Sequence, residues 1–190
     1  MGLGPISGRI AVVGTGVIGA SWAAYFLAKG FDVAATDPAD GAEKRLRTLV
    51  DGFWPAFEHI GLAAGASRSR LRFDPHIVRA VEGCEFIQEN GPERVDVKRD
   101  LLTKISAAAP SDSLIATSSS GILISDIQDA AAYPQRVLLG HPFNPPHLIP
   151  LVEVAGGRLN GAEQRLLRAR RNAECRGTRG GETGARVHGA

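Results

Sequence analysis

The sequence predicts an α/β fold, a doubly wound and mostly parallel sheet with helices on both faces, and three observations predict it. Short apolar runs of strand length alternate with segments of helical period, and the loops between them are short. The first run, Arg9 to Val13, passes through a glycine cluster straight into a helical segment. A second apolar run follows that segment almost at once, so a crossover helix joins two strands that must pair in parallel.

Taken in order, Ile18, Trp22, Tyr25 and Phe26 recur at helical spacing until Gly30 ends the pattern, and Phe31 to Thr36 forms the second strand, closed by Asp37 and Pro38. Residues 42–60 read as a helix interrupted at Pro55, and 61–69 as a loop. Strands are expected at Leu71 to Phe73, Glu85 to Gln88, Leu114 to Thr117 and Val137 to Gly140. Helices are expected over 75–81 and 93–109, with a further helix over 125–132 and a last strand over 148–155. Residues 1–157 therefore read as one domain, and the character of the chain changes after Gly157. Residues 158–190 carry eight arginines against three acids, a charge of +5 that leaves −3 for the rest, and contain no Ile, Phe, Tyr or Trp. Apart from a helix expected over 162–171, such a segment buries too little to offset its ordering entropy, so 175–190 is expected to be disordered.

At 190 residues, 44% hydrophobic and 22% charged, the chain has the composition of a globular protein. Cys84 and Cys175 have neither the number nor the spacing of a disulfide framework or a metal site. The first residues lack the basic-then-apolar pattern of a signal peptide, and no apolar run reaches membrane-spanning length, so a cytoplasmic protein without membrane attachment is expected. The basic tail has no interleaved aromatic residue, and no nucleic-acid partner is expected.

Gly14, Gly16 and Gly19 form GTGVIG between the first strand and the first helix, with Asp37 at the end of the next strand, 23 residues after Gly14. This is the context of a Rossmann dinucleotide site. Gly14 permits the tight turn, Gly16 lets a pyrophosphate approach the backbone, and Gly19 lets helix pack on strand, while the N–H groups around Val17 and Ile18 face the phosphates. Asp37 would accept hydrogen bonds from the adenosine ribose and repel a 2′-phosphate, which favours NAD over NADP, with FAD the minor alternative. No lysine followed by Ser or Thr comes after the glycines, so a P-loop is excluded.

Three later stretches, FIQENGPERVDVKRDLL from Phe86, ATSSSGILISDI and GHPFNPPHLIPLVEV, resemble the 3-hydroxyacyl-CoA dehydrogenase family in order and spacing over residues 8–157. The resemblance implies an NAD-dependent oxidation of a 3-hydroxy group, with the histidine of the H-x-F-N-P motif, His141, as general base and Glu153, twelve residues on, orienting its ring. It implies that Ser120, 21 residues before His141, hydrogen-bonds the substrate oxygen, with Ser119 the nearest competitor. It also implies that Glu93, Lys98, Ser120 and Asn144 contact the nicotinamide end of the cofactor. Read without it, Glu93 is a first-turn acid, Lys98 an exposed helix lysine and Asn144 a turn residue.

Pro142 in place of the phenylalanine of the acyl-CoA form, and the sequence LIPLVEV, resemble the branch containing carnitine and L-gulonate dehydrogenases, which shifts the expected small-molecule substrate from a 3-hydroxyacyl-CoA toward a small 3-hydroxy acid. The basic loop Arg68, Ser69, Arg70, Arg72 reads either as a contact for a CoA phosphate or as a solvated loop. In the family an all-helical domain follows the sheet, completes the substrate cleft, supplies a further asparagine and forms a homodimer. Residues 158–190 do not resemble that continuation, and their composition is the one expected of a frameshifted or truncated gene product. The competing expectation is a non-catalytic NAD-binding remnant.

Overall fold

The computed structural model describes residues 8–160. Seven strands form one sheet in the order β3-β2-β1-β4-β5-β6-β7: β1 (Arg9–Val13), β2 (Val33–Thr36), β3 (Leu71–Phe73), β4 (Cys84–Glu89), β5 (Leu114–Thr117), β6 (Val137–Pro142) and β7 (Val152–Gly156). All neighbours pair in parallel except β7, which runs antiparallel to β6. Strand order reverses between β1 and β4, and in open α/β sheets that switch point is where ligands bind.

Side chains alternate across the sheet. Ile10, Val12, Val33, Ala35 and Phe86 face α1 (Val17–Ala28) and α2 (Ala42–Ile60). Ala11, Val13, Ala34, Ile87 and Ile115 face α3 (Ile77–Val81) and α4 (Val95–Ala108). Burial on both faces explains why the central strands read as unbroken apolar runs. α1 is covered nearly all round, with Ala20, Ala23, Ala24 and Leu27 wholly buried, and its small residues let it lie close to the sheet. α2 is amphipathic, burying Leu46, Val50, Trp54 and Phe57 along one stripe. Pro55 does not interrupt it: the proline is on the exposed face, where water can satisfy the carbonyl it leaves unpaired.

Two other expectations are corrected. Residues 125–132 form no α-helix but two 3-10 turns, Ile124–Asp126 and Gln128–Ala130, with Ile124, Ile127 and Ala131 buried in the core. Pro134 follows too closely for a stable α-helix to continue. The last strand is shorter than 148–155, because the N–H groups of Leu148 and Ile149 turn back to the Pro145 carbonyl and Pro150 has none to offer a ladder. The described chain runs past Gly157 to Asn160, whose side chain bonds Gln128, Gly157 and the carbonyls of Gln135 and Val137. The helix and the disorder expected beyond it lie outside the described residues.

Candidate active site

The parallel register sets the site. Val13 lies beside Thr36 and Glu89, Glu89 beside Thr117, and Thr117 beside Leu139. Gly14, Asp37, Asn90 and Ser118, which follow β1, β2, β4 and β5, therefore leave the sheet along a single edge, and β6 runs on past it through Gly140 to Pro142.

At that edge Gly14 has φ +83°, a conformation that favours glycine, and its N–H donates to the Thr36 carbonyl at 2.8 Å. A Cβ at Gly19 would stand 1.9 Å from the Gly14 carbonyl oxygen, whereas one at Gly16 would meet nothing within 4 Å. The two glycines thus do different jobs, since Gly19 serves packing while Gly16 keeps space open outside the protein. Gly16 begins α1 with no side-chain cap, so the first N–H groups of the helix, from Val17, Ile18 and Gly19, stay available to an anion. Asp37 accepts the Thr15 N–H at 2.8 Å and hydroxyl at 3.2 Å on one oxygen, and the Ala39 N–H at 3.0 Å on the other. These bonds fix the carboxylate beside the glycine turn and leave lone pairs for a diol. Uncapped helix, open glycine and anchored acid fit a dinucleotide.

His141 and Glu153 stand directly opposite one another on β6 and β7, and the antiparallel pairing brings His141 Nδ1 to 2.9 Å from Glu153 Oε2. A twelve-residue separation in sequence becomes one cross-strand pair. With Nδ1–H donating to the carboxylate, Nε2 is left as the ring's proton acceptor.

Glu93 lies just before α4. Its Oε1 accepts the Ser119 hydroxyl at 2.6 Å and the N–H groups of Ser120 and Gly121 at 3.0 and 2.8 Å. Partial burial works to raise this carboxyl, but those three donors, with the Lys98 ammonium beyond them, hold it below the usual carboxylate range. Ser119 is wholly buried in that bond, and Ser120 is the exposed serine of the two. Asn144 is exposed on the loop after β6.

Lys98 is not the exposed helix lysine of the bare sequence reading. It is 1% exposed, and its ammonium donates to Glu89 Oε2 at 2.9 Å, the Gly91 carbonyl at 3.2 Å and Thr117 Oγ1 at 3.3 Å, with Glu93 Oε2 at 3.8 Å. Three acceptors occupy its three protons. Glu89, 0% exposed, also accepts the Thr117 hydroxyl and the Gly91 N–H. The expected strand stopped at Gln88, one residue short of this acid. A buried lysine whose partner is nine residues away leaves no periodic signal to find. Gln88, Ser118 and Asn90 were missed as well: Gln88 Nε2 donates to Ser118 Oγ and the Gly140 carbonyl, and Ser118 donates to Asn90, stitching the ends of β4, β5 and β6 together.

Tyr25 and Lys29 have the four-residue spacing of the Tyr-x-x-x-Lys pair of short-chain dehydrogenases. The spacing has no catalytic meaning here, because α1 carries the two residues roughly 12 and 18 Å away from its glycine-rich start, with Lys29 lying over the Tyr25 ring. In the basic loop, Arg68 pairs with Asp51 and Arg70 with Asp32. Among the described residues no cluster of His, Cys, Asp and Glu could hold a metal ion, and no helix is long and apolar enough to cross a membrane.

Residues 9–171 match the NAD-binding domain of 3-hydroxyacyl-CoA dehydrogenases. The chain belongs to this family. L-carnitine dehydrogenase from Streptomyces griseus is 55% identical over 149 residues, 78% of this chain and 44% of its own length. The L-carnitine dehydrogenase of Bacillus cereus is 49% identical over 150 residues, 79% of this chain and 46% of its own. Among solved structures, an NAD⁺-dependent 5-formyl-3-hydroxy-2-methylpyridine 4-carboxylic acid 5-dehydrogenase superposes with TM-score 0.80 at 32% identity, covering 89% of this chain and 55% of that one. The 3-hydroxybutyryl-CoA dehydrogenase of Escherichia coli K12 gives 0.79 at 26% identity, covering 88% and 36%. The chain thus spans less than half the length of the L-carnitine dehydrogenases it matches. The Rossmann fold and NAD as cofactor, both expected from the glycine turn, are the fold and cofactor of this family's domain.

Proposed function

We propose that the chain is the cofactor half of an NAD-dependent oxidoreductase that oxidises the hydroxyl of a small 3-hydroxy acid of the carnitine type, with His141 as base. The observation that carries this reading is the His141–Glu153 cross-strand pair at the edge that also bears the glycine turn. Glu153 holds the ring through Nδ1, which leaves Nε2 to take the hydroxyl proton. NAD supplies the hydride acceptor when bound. The exposed Ser120 hydroxyl orients the substrate oxygen, and Glu93 holds Ser120 through its backbone N–H. Asn144, on the same edge, meets the nicotinamide end. Lys98 acts through Glu89 and Glu93 rather than by touching the cofactor. A small acid is favoured over an acyl-CoA by the 49–55% identity to carnitine dehydrogenases. Arg68 and Arg70, already paired with acids, favour it too.

The test is NADH titration by fluorescence on the 190-residue chain, followed by turnover with L-carnitine and with 3-hydroxybutyryl-CoA. NADH binding that survives His141→Asn, with carnitine-dependent NADH formation that does not, supports the reading. Failure to bind NADH overturns it. Binding without turnover of either substrate supports the second reading, a non-catalytic cofactor module. The homodimer implied by the family resemblance is tested by sedimentation of the same sample.

A further inference from the structure

We propose that His147 is a positioning residue that locks the loop between His141 and Glu153 onto the cofactor helix α1. The proposal rests on the reading that these two residues are the catalytic pair.

Residues 143–151 join β6 to β7, so the loop's shape sets how the two strand ends, and the pair they carry, face each other. Pro146 is buried, but Phe143, Leu148, Ile149 and Leu151 are all well exposed. Its neck is closed by the Phe143 N–H donating to the Leu151 carbonyl, and its turn by Leu148 and Ile149 donating to Pro145. Those bonds shape the loop without fixing it to the domain.

His147 does fix it. Its backbone N–H donates to Ser21 Oγ at 2.8 Å, and its Nδ1 lies 2.7 Å from the same oxygen. With its own proton directed at Nδ1, Ser21 serves the backbone N–H and the ring together, and the ring is then the neutral Nε2–H form. The imidazole stacks on Phe53 of α2 at 4.0 Å and 20°, with Phe57 beyond it at 6.3 Å. Desolvation there holds the His147 pKa below its ordinary value, consistent with a ring that stays neutral. Ser21 is wholly buried on α1, two residues after Gly19, so the clamp ties the catalytic loop to the helix that begins at the dinucleotide turn. The helix of the dinucleotide turn and the strand ends that carry His141 and Glu153 are thereby held to one another.

The test is amide hydrogen exchange and imidazole nitrogen NMR on the 190-residue chain, in the wild type, His147→Ala, His147→Phe and Ser21→Ala. The Phe143 and Ile149 amides are expected to exchange about 10–100-fold faster in H147A. Ile10 in β1 should not change. H147F, which keeps the stack but not the acceptor, and S21A, which keeps the ring but not the hydroxyl, are expected to fall between. In each variant the His141 ring signals should move toward those of a free histidine. His147→Asn, which can still accept from Ser21, should partly restore both readouts. Unchanged loop exchange and unchanged His141 signals in H147A and S21A overturn the proposal, as does an equal acceleration at Ile10, which would mean global destabilisation. Should H147A not fold, S21A decides alone. NADH titration of the wild type separates the two ideas, because absent binding removes the function proposed above while the exchange result still stands.

Discussion

Replacing Lys98 by methionine tests the buried centre of the site. Methionine keeps the apolar stem and removes the ammonium, so Glu89 stays behind with 0% exposure and no adjacent cation. Two of its bonds survive, from the Thr117 hydroxyl and the Gly91 N–H. Lost are the 2.9 Å ion pair and the bonds to Gly91 and Thr117. Breaking a buried pair by removing one partner costs about 3–5 kcal/mol, because the remaining charge is neither solvated nor neutralised. In a chain of this size each kcal/mol moves the melting point by about 2–4 °C, so a fall of roughly 6–20 °C is expected. Adding Glu89→Gln removes the stranded charge, and the double variant should be less destabilised than the sum of the singles by about 1 kcal/mol or more. The assay is thermal melting by circular dichroism at pH 7, with NADH titration of each variant below its melting point. A K98M chain that melts within about 2 °C of the wild type refutes the reasoning. If it also loses NADH affinity, Lys98 contacts the cofactor directly, as the family resemblance implies.

The two later glycines of the turn should separate cleanly. Gly19→Ala places a methyl against a backbone oxygen that cannot yield, and should cost about 1–3 kcal/mol in a denaturant melt. Gly16→Ala meets nothing, so it should keep the wild-type melting point yet weaken NADH about tenfold or more; equal stability loss in both would contradict the structure. Because the folded pKa of His147 is depressed, the unfolded chain takes up the proton first, and stability should decline as pH falls below about 6.5. Urea melts at pH 7.5 and 5.5 should show that decline reduced in His147→Phe, and an identical pH dependence in both proteins would count against it. Burial pushes the Cys84 thiol up to about 11, so in a Cys175→Ser background it should resist a thiol-specific disulfide reagent at pH 8 until denaturant is added. Prompt labelling of the native protein would mean that the α3–β4 region opens.

Much of the fold was legible because periodicity reports burial. Strands buried on both faces read as apolar runs, and the stripe Leu46, Val50, Trp54, Phe57 marked α2 despite Pro55. Where the apolar spacing was local and short, as at Ile124, Ile127 and Ala131, helix and 3-10 turn gave one pattern, and Pro134 decided between them. The dinucleotide turn was legible for a different reason: each glycine answers a local demand of backbone angle or close approach, and such demands are met within a few residues.

Sequence by itself thus determined the order of strands and helices, the glycine turn with its acid, and which residue types were on hand for chemistry. Tertiary structure alone decided how distant residues pair. Register across β6 and β7 joined His141 to Glu153, the convergence of β4, β5 and α4 buried Lys98 against Glu89, and the return of the loop after β6 set His147 against Ser21, 126 residues earlier. Such contacts depend on where separate elements come to rest, and a buried ion pair or a clamping histidine has the same local sequence whether its partner is near or far.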